Sequence, residues 1–404
     1  MAFCHDYELE KILILYTQNT PVHMRLWNHD LWRLAISNML LTMTVYMQVV
    51  ALPQWLNQLF GSRFQVGMVM GIYGLGLFTM GGFCNYLVQY CRRNHVYLAS
   101  VLAMVVSLLL LYYMIHYGIS VSGDGSFYIL LAQRFVYGAA FGLAEMVMLS
   151  SLVIDVSESF QRTEANYGVS WFGRIAIALG AIVACIVQKW FGIGEIVLCT
   201  CLCCALAVLL TERVNFPFKA PEDNVARFSF DRFLLPDGWL LFFNLLLITI
   251  PVGLILSHSH HISFYATMTA GFFLSLIAEK YVFAEADLKS ESVVGLILMG
   301  CTLLILEYNP GFAGYIPPLF LGFSVGIIGS RFLLFSIKLS HHCQRGTSQS
   351  SFFLVWEFGI SIGLFGGFCF DSHFANIAGL ILIGISLLMY NSITHPWYLK
   401  HKKR

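Results

Sequence analysis

Residues Arg134 to Gly180 read RFVYGAAFGLAEMVMLSSLVIDVSESFQRTEANYGVSWFGRIAIALG, two apolar segments joined by a polar hinge. Moved forward by 183 positions without a gap, this stretch lands on a second version of itself. Val156-Ser157-Glu158-Ser159-Phe160-Gln161-Arg162 falls on Leu339-Ser340-His341-His342-Cys343-Gln344-Arg345, and Arg174-Ile-Ala-Ile-Ala-Leu-Gly180 falls on Glu357-Phe-Gly-Ile-Ser-Ile-Gly363. Ser157, Gln161, Arg162 and Gly180 recur, whereas Arg174 becomes Glu357. A repeat at nearly half the chain length predicts two similar bundles.

The rest of the chain is written for lipid. Of 404 residues 58% are hydrophobic and 11% charged, and the mean hydropathy is +0.73. A soluble protein of this length needs more charge than that to cover its surface. A net charge of +1 argues against a nucleic-acid partner, which would select a basic face. The 11 cysteines form no spaced framework; Cys199, Cys201, Cys203 and Cys204 lie in one apolar run and read as small hydrophobes. The first apolar run is too long for a cleavable signal and lacks a small-residue cleavage site. Residues up to His23 are polar and weakly patterned, and Met24-Arg25-Leu26-Trp27 is the expected start.

Apolar runs long enough to cross ~30 Å of hydrocarbon recur about twelve times. They fall near 34–56, 64–90, 95–117, 127–150, 167–190 and 194–211, then near 239–257, 263–284, 292–308, 312–337, 351–370 and 374–394. In hydrocarbon the backbone must pair within each segment, so the runs are helices. The longest polar stretch, Glu212 to Asp237 with Lys219, Pro221, Glu222, Asp223, Arg227 and Asp231, separates spans six and seven. The expected organisation is therefore an N-terminal segment 1–33, a six-helix bundle 34–211, a linker 212–238, a second six-helix bundle 239–394 and a basic tail 395–404. Arg92, Arg93, Arg162, the linker cations, Lys289, Lys338, Arg345 and the tail share one side, against Arg63 and Lys189 on the other. By the positive-inside rule both termini and the linker face the cytoplasm.

Ionisable residues inside spans cost roughly 2.5–3.5 kcal/mol each near a helix centre, so each should face a partner or water. Arg134 and Glu145 in span four are three turns apart on one face, with Gly138 and Gly142 between them; the glycines read chiefly as close helix packing. Arg174 and Glu357 occupy equivalent places in the two copies with opposite charge, about a turn or two past the cytoplasmic ends of their spans. Either each pairs across the halves to shut a mouth, with Glu279 or Glu285 as candidate partners, or each forms a static ion pair within its own half. Arg331 and Lys338 share a face of span ten; either could attract an anionic substrate, and Lys338 is equally explained by snorkelling. Tyr167, Trp171, Phe352, Phe353 and Trp356 beside these charges suit an amphipathic ligand, but packing is the plainer reading. His258-Ser-His260-His261 has metal-ligating side chains yet no nearby carboxylate or cysteine, and reads as a loop. No nucleotide-binding or hydrolase motif occurs, and no His, Asp or Glu cluster has catalytic spacing.

Arg134-x3-Gly138-x3-Gly142 resembles the span-four signature of the major facilitator superfamily of secondary transporters. Gly81-Gly82-Phe83-Cys84-Asn85 running to Arg92-Arg93-Asn94 looks like a degraded copy of its signature between spans two and three. That family expects an aspartate where Asn85 stands and a glycine where Tyr90 or Cys91 stands, so the loop departs from the family's usual gate pairing. The run Arg331 to Ser350 resembles a bacterial branch of the superfamily.

The resemblance implies an all-α membrane protein of twelve helices in two pseudo-symmetric six-helix bundles, rocking about a central site. It implies that spans one, four, seven and ten line the cavity. The candidates are then Asn38, Thr42, Tyr46, Gln48, Arg134, Glu145, Asn244, Ser324 and Arg331. Proton coupling would fall to Glu145 first and Glu357 second, because a desolvated carboxylate can exchange a proton near neutral pH. Gate candidates are Arg174, Glu279, Glu357, Asn85, Arg92, Arg93, Arg162 and Arg345. The expected protein is a monomeric, proton-coupled carrier of a small organic solute in a bacterial cytoplasmic membrane. It is expected to be no enzyme and to need no cofactor or metal. A sensor or assembly factor that keeps the carrier fold is the alternative, favoured by the degraded loop.

Overall fold

Long apolar runs can satisfy their backbone in lipid only as helix, and the computed structural model folds each of them that way. The structure describes residues 26–117, 124–158, 160–217, 224–259, 261–283, 286–308, 311 and 314–402. The leader with its Met24 start, Ser159, His260, Glu285, and the linker residues Lys219, Pro221, Glu222 and Asp223 lie outside them.

The first half contains α1 (His29–Phe60), α2 (Arg63–Gly71, Tyr73–Thr79 and Gly81–Tyr90), α3 (Arg93–Tyr117), α4 (Asp124–Val147), α5 (Arg162–Trp190) and α6 (Ile193–Glu212). The second contains α7 (Trp239–Ser257), α8 (Ile262–Tyr281), α9 (Leu288–Tyr308), α10 (Ile316–Leu339), α11 (Arg345–Cys369) and α12 (Ser372–Met389). α4 runs on through a π-turn, Met148–Leu152, to Asp155, and α12 through another, Tyr390–Thr394, to His401. Local chemistry marks the ends of α1. Asn28 caps it by accepting the Leu31 amide at 2.8 Å, and Gly61 closes it at φ 63°, a left-handed conformation suited to glycine. α2 bends by 48° between its second and third pieces, at Gly81-Gly82.

The two halves pack by one scheme. α1 meets α5 and α6, α2 and α3 flank α4, and α3 meets α6; α7 meets α11 and α12, α8 and α9 flank α10, and α9 meets α12. Between halves, α2 meets α11 and α5 meets α8, a pair of contacts that exchanges under the repeat. The glycine reading for α4 holds: a Cβ on Gly138 would stand 2.1 Å from the Tyr73 carbonyl oxygen of α2. In the second half Gly322 of α10, one place beyond the residue the shift matches to Gly138, packs alike: a Cβ there would stand 2.0 Å from the Met268 oxygen of α8.

α1, α4, α7 and α10 are the enclosed helices, with 72 to 89% of their apolar stretch buried, against 28 to 39% for α3, α6, α9 and α12. The latter present Leu102, Val106, Leu202, Ile297 and Leu388 outward, a lipid-facing surface. One end of the bundle carries the linker. There Arg33 of α1 donates to the Arg213 carbonyl after α6 at 2.8 Å, and Trp397 near the chain's end lies beside Pro236. We call it the linker end and the opposite one the distal end.

Candidate functional site

Three ionisable side chains converge between the halves: Glu145 from α4, Arg174 from α5 and Glu357 from α11. Arg174 and Glu357 each lie about twelve residues inside their helices, or ~18 Å from the helix start. That is deeper than the turn or two expected from sequence, because α5 and α11 begin at Arg162 and Arg345, before their continuous apolar runs. Both are mid-helix residues of the cavity rather than residues at a mouth.

The cavity is about 40 Å³ and is lined by Asn38 and Thr42 of α1, Glu145 and Leu149 of α4, Ser170, Gly173 and Arg174 of α5, and Gln349, Phe352, Phe353, Trp356 and Glu357 of α11. Pockets that hold organic ligands run to roughly 300–1,000 Å³, so this cavity is much smaller than such a site.

Neutral donors surround the carboxylates. Thr42 Oγ1 donates to Glu145 Oε1 at 3.2 Å, and Asn38, with its amide nitrogen turned to the carboxylate, donates to Oε2 at 2.6 Å. Tyr46 donates to both Glu357 oxygens, at 2.9 and 3.1 Å. The Tyr73 hydroxyl is buried near Glu357 but outside hydrogen-bond geometry. Among the described residues neither carboxylate has a salt-bridge partner, although both are at most 2% exposed. Arg174 is equally uncompensated. Its Nη2 donates to Ser330 of α10 at 3.2 Å and its guanidinium stacks over Trp171, 4.6 Å from the ring centroid, while Nε and Nη1 have no acceptor. Glu357 thus reaches across the halves to α1, and Arg174 reaches across to α10.

The other candidates separate from this cluster. Arg134 is fully buried one site further toward the distal end, where Nη1 donates to Gln48, Nε donates to the Val69 carbonyl at 3.4 Å, and the rings of Tyr73 and Tyr137 lie 5.4 Å away. Three turns put Arg134 and Glu145 on one face, as expected, but ~16 Å apart along it. Asn244 of α7 donates to the Ser386 carbonyl of α12 at 3.1 Å, and Ser324 of α10 is buried without a side-chain partner. Neither lines the cavity, so α7 and α10 leave its wall to α5 and α11. Arg331 is held by Glu291 of α9 through Nε at 2.6 Å and by Glu279 of α8 through Nη2 at 2.7 Å. It is neutralised there rather than offered to an anion.

Both ends are shut. At the distal end α2 lies against α11, where a Cβ on Gly67 or Gly71 would stand 2.6 Å from Cys369 Sγ or Phe365 Cβ. At the linker end Tyr167 of α5 bonds Glu279 of α8, and Gln349 of α11 donates to the Asn166 carbonyl of α5 at 3.1 Å. Of the other gate candidates, Arg93 pairs with Asp155 within the first half, Arg162 opens α5 with its Nε unpartnered, and Arg345 opens α11 half-buried. Arg92 precedes α3 at this end and is exposed.

Asn85 meets a partner that sequence reasoning missed, the final part of the linker. Arg232, at φ 58°, donates from Nε to Asn85 at 3.2 Å and from Nη1 to the Ser150 carbonyl and Ser151 of α4. Ser229 N–H donates to the Gly82 carbonyl at 2.9 Å. Toward the second half, Thr347 of α11 donates to Asp231 at 2.7 Å and accepts from the Arg232 amide at 2.9 Å, and Ser351 accepts from the Leu235 amide at 2.6 Å. Phe228 and Phe233 fill the space that Gly82 and Gly81 leave open. Gln349, Ser170, Gly173 and Tyr73 were also missed, being uncharged residues whose role depends on which helices meet. His258 bonds to Ser257 and the Leu254 carbonyl, within its own turn.

The sequence profile of the Major Facilitator Superfamily matches residues 34–364, most of the chain. The chain belongs to that superfamily. Solved structures agree in fold. The xylose transporter XylE from E. coli, in an inward-open conformation, aligns over 90% of this chain and 95% of its own at 12% identity and a TM-score of 0.68. The nucleoside transporter NupG aligns over 90% and 100% at 11% identity and 0.64, and a bacterial homologue of the iron transporter ferroportin, outward-facing, over 91% and 99% at 15% and 0.62. No curated protein sequence matches the chain. As a superfamily member it is a multi-pass membrane protein built as a transporter rather than as an enzyme.

Proposed function

We propose that the chain is a secondary active transporter that moves a small organic solute by alternating access and is coupled to protons. The observation that carries this reading is a small cavity between two pseudo-symmetric bundles, with one buried carboxylate from each bundle and, among the described residues, no cation paired to either. Burying a lone carboxylate is costly, and taking up a proton removes that cost. Each carboxylate is bonded to α1, so loading or unloading a proton alters a bond at the core of the cavity. Tyr167, Glu279, Arg174 and Glu357 supply the bonds that would be exchanged for water as the halves part. The protein works as a monomer, with residues 34–211 and 239–394 as its two moving bodies and 212–238 as the link.

The cations at the linker end support an orientation with that end in the cytoplasm and Arg63 and Lys189 outside, and the membrane is read as a bacterial inner membrane. Reconstitution into liposomes with an imposed pH gradient tests coupling: a solute-dependent proton flux is expected, and Glu145→Gln removes it. A second reading, a sensor or assembly factor on a carrier scaffold, draws on Asn85 and the docked linker. Cavity residues that never become reachable from either face would favour it.

A further inference from the structure

Resting on the transporter reading, the cavity also carries information about its cargo. Arginine stays protonated in proteins, so the Arg174 charge is fixed, whereas each glutamate can be neutral. Arg174 is 3% exposed, lines the cavity, and has two nitrogens without an acceptor. A guanidinium presents a planar fork that fits a carboxylate with two parallel bonds. The guanidinium is seated against α10: Trp171 lies under it, Nη2 is held by Ser330, and a Cβ on Gly329 would stand 2.7 Å from Nη1. Each forked edge includes Nη2, so a carboxylate that takes two parallel bonds does so by sharing or displacing Ser330. Beside it Phe352, Phe353 and Trp356 form an apolar wall of the 40 Å³ cavity, which takes a ring only once the halves part.

We propose that Arg174 binds the carboxylate of an organic monoanion with an aromatic or similarly apolar body, and that this anion travels in the same direction as the protons on Glu145 and Glu357. Charge accounting gives the direction. With both glutamates ionised the cluster carries one net negative charge and repels an anion. With both protonated it carries one positive charge, which a monoanion neutralises and a phosphate dianion would overshoot. Anion and protons therefore occupy the cavity together. The groups facing this cluster are Asn38, Thr42 and Tyr46 from α1, Tyr73 from α2, Ser330 from α10, and Tyr167 and Glu279 toward Arg174. Only Glu279 among them is a further carboxylate, and it is paired with Arg331.

Thermal unfolding of the full chain in lipid nanodiscs tests this with benzoate and phenylacetate as probes and benzyl alcohol and benzylamine as controls. The carboxylates should raise the unfolding midpoint, more at mildly acid than at mildly alkaline pH, and the controls should not. R174Q should weaken carboxylate binding by about tenfold or more, the loss expected for a charge-assisted bond. R174K, which keeps the charge and loses the fork, should retain part of it. The double substitution E145Q/E357Q should make binding independent of pH. Stabilisation by benzylamine instead, undiminished carboxylate binding in R174Q, or no shift with either carboxylate at millimolar concentration would each overturn the assignment. None of these results bears on alternating access, which is read separately by labelling a cavity cysteine from each face.

Discussion

Gln349 donates to the backbone carbonyl of Asn166, the residue it matches under the 183-residue shift. The two copies of the repeat therefore touch at equivalent positions, on the pseudo-symmetry axis at the linker end. Because the acceptor is backbone, the two side chains are not interchangeable in effect. Gln349→Ala should cost about 1 kcal/mol by loss of a buried hydrogen bond. Asn166→Ala, which keeps the acceptor, should cost less. Unfolding midpoints of the two variants in one detergent check the order.

Glu145→Gln keeps a carbonyl oxygen for Thr42 and removes the exchangeable proton, so the fold should survive while solute-dependent proton flux falls to background. Glu357→Gln should act alike through Tyr46. Flux measured with a pH-sensitive dye inside liposomes decides it; unchanged flux in Glu145→Gln removes that residue from coupling.

Gly138→Ala places a methyl against the Tyr73 backbone, where neither helix can yield cheaply. A destabilisation of about 1–3 kcal/mol is expected for such overpacking. Loss of folded protein on mild heating should exceed that of Ala139→Gly, a control on the neighbouring residue.

Tyr167→Phe deletes the hydroxyl that joins α5 to Glu279 of α8, and Glu357→Ala deletes the carboxylate that holds Tyr46. Bonds to charged groups contribute roughly 1.5–3 kcal/mol, enough to move a two-state balance about tenfold. Each variant should expose the cavity to the linker end. In a Ser170→Cys background the rate of labelling by a membrane-impermeant thiol reagent reads this directly, and an unaltered rate would leave both bonds without a gating role.

Features fixed by local composition were legible in the sequence. Helix count and the packing glycines of α4 follow from run length and spacing, and both are found where they were expected. Asn38, Thr42 and Glu145 line the cavity, since a polar residue on an enclosed helix has few places to go. The membership of the cavity wall was less legible. Choosing α5 and α11 over α7 and α10 depends on how far the halves have closed, and Asn244 and Ser324 carry no mark that they face α12 and the interior of their own half. Arg331 looked available because Glu291, forty residues away, is visible as its partner only once α9 and α10 are side by side. The docking of Arg232 was illegible for the same reason: its acceptors come from α2 and α4, and its neighbour Asp231 is bound by α11.

That docked linker makes the two ends of the molecule mechanically unequal. Residues Ser229 to Leu235 are fastened to Gly82, Asn85 and Ser151 on one body and to Thr347 and Ser351 on the other. Any state in which the bodies part at this end must unfasten one of those sets. Unfastening also frees Arg232 from a left-handed backbone that costs roughly 1–2 kcal/mol. The linker thus behaves as a sprung latch: it sets a threshold for opening on its own side, returns part of that energy once released, and leaves the distal side free of it.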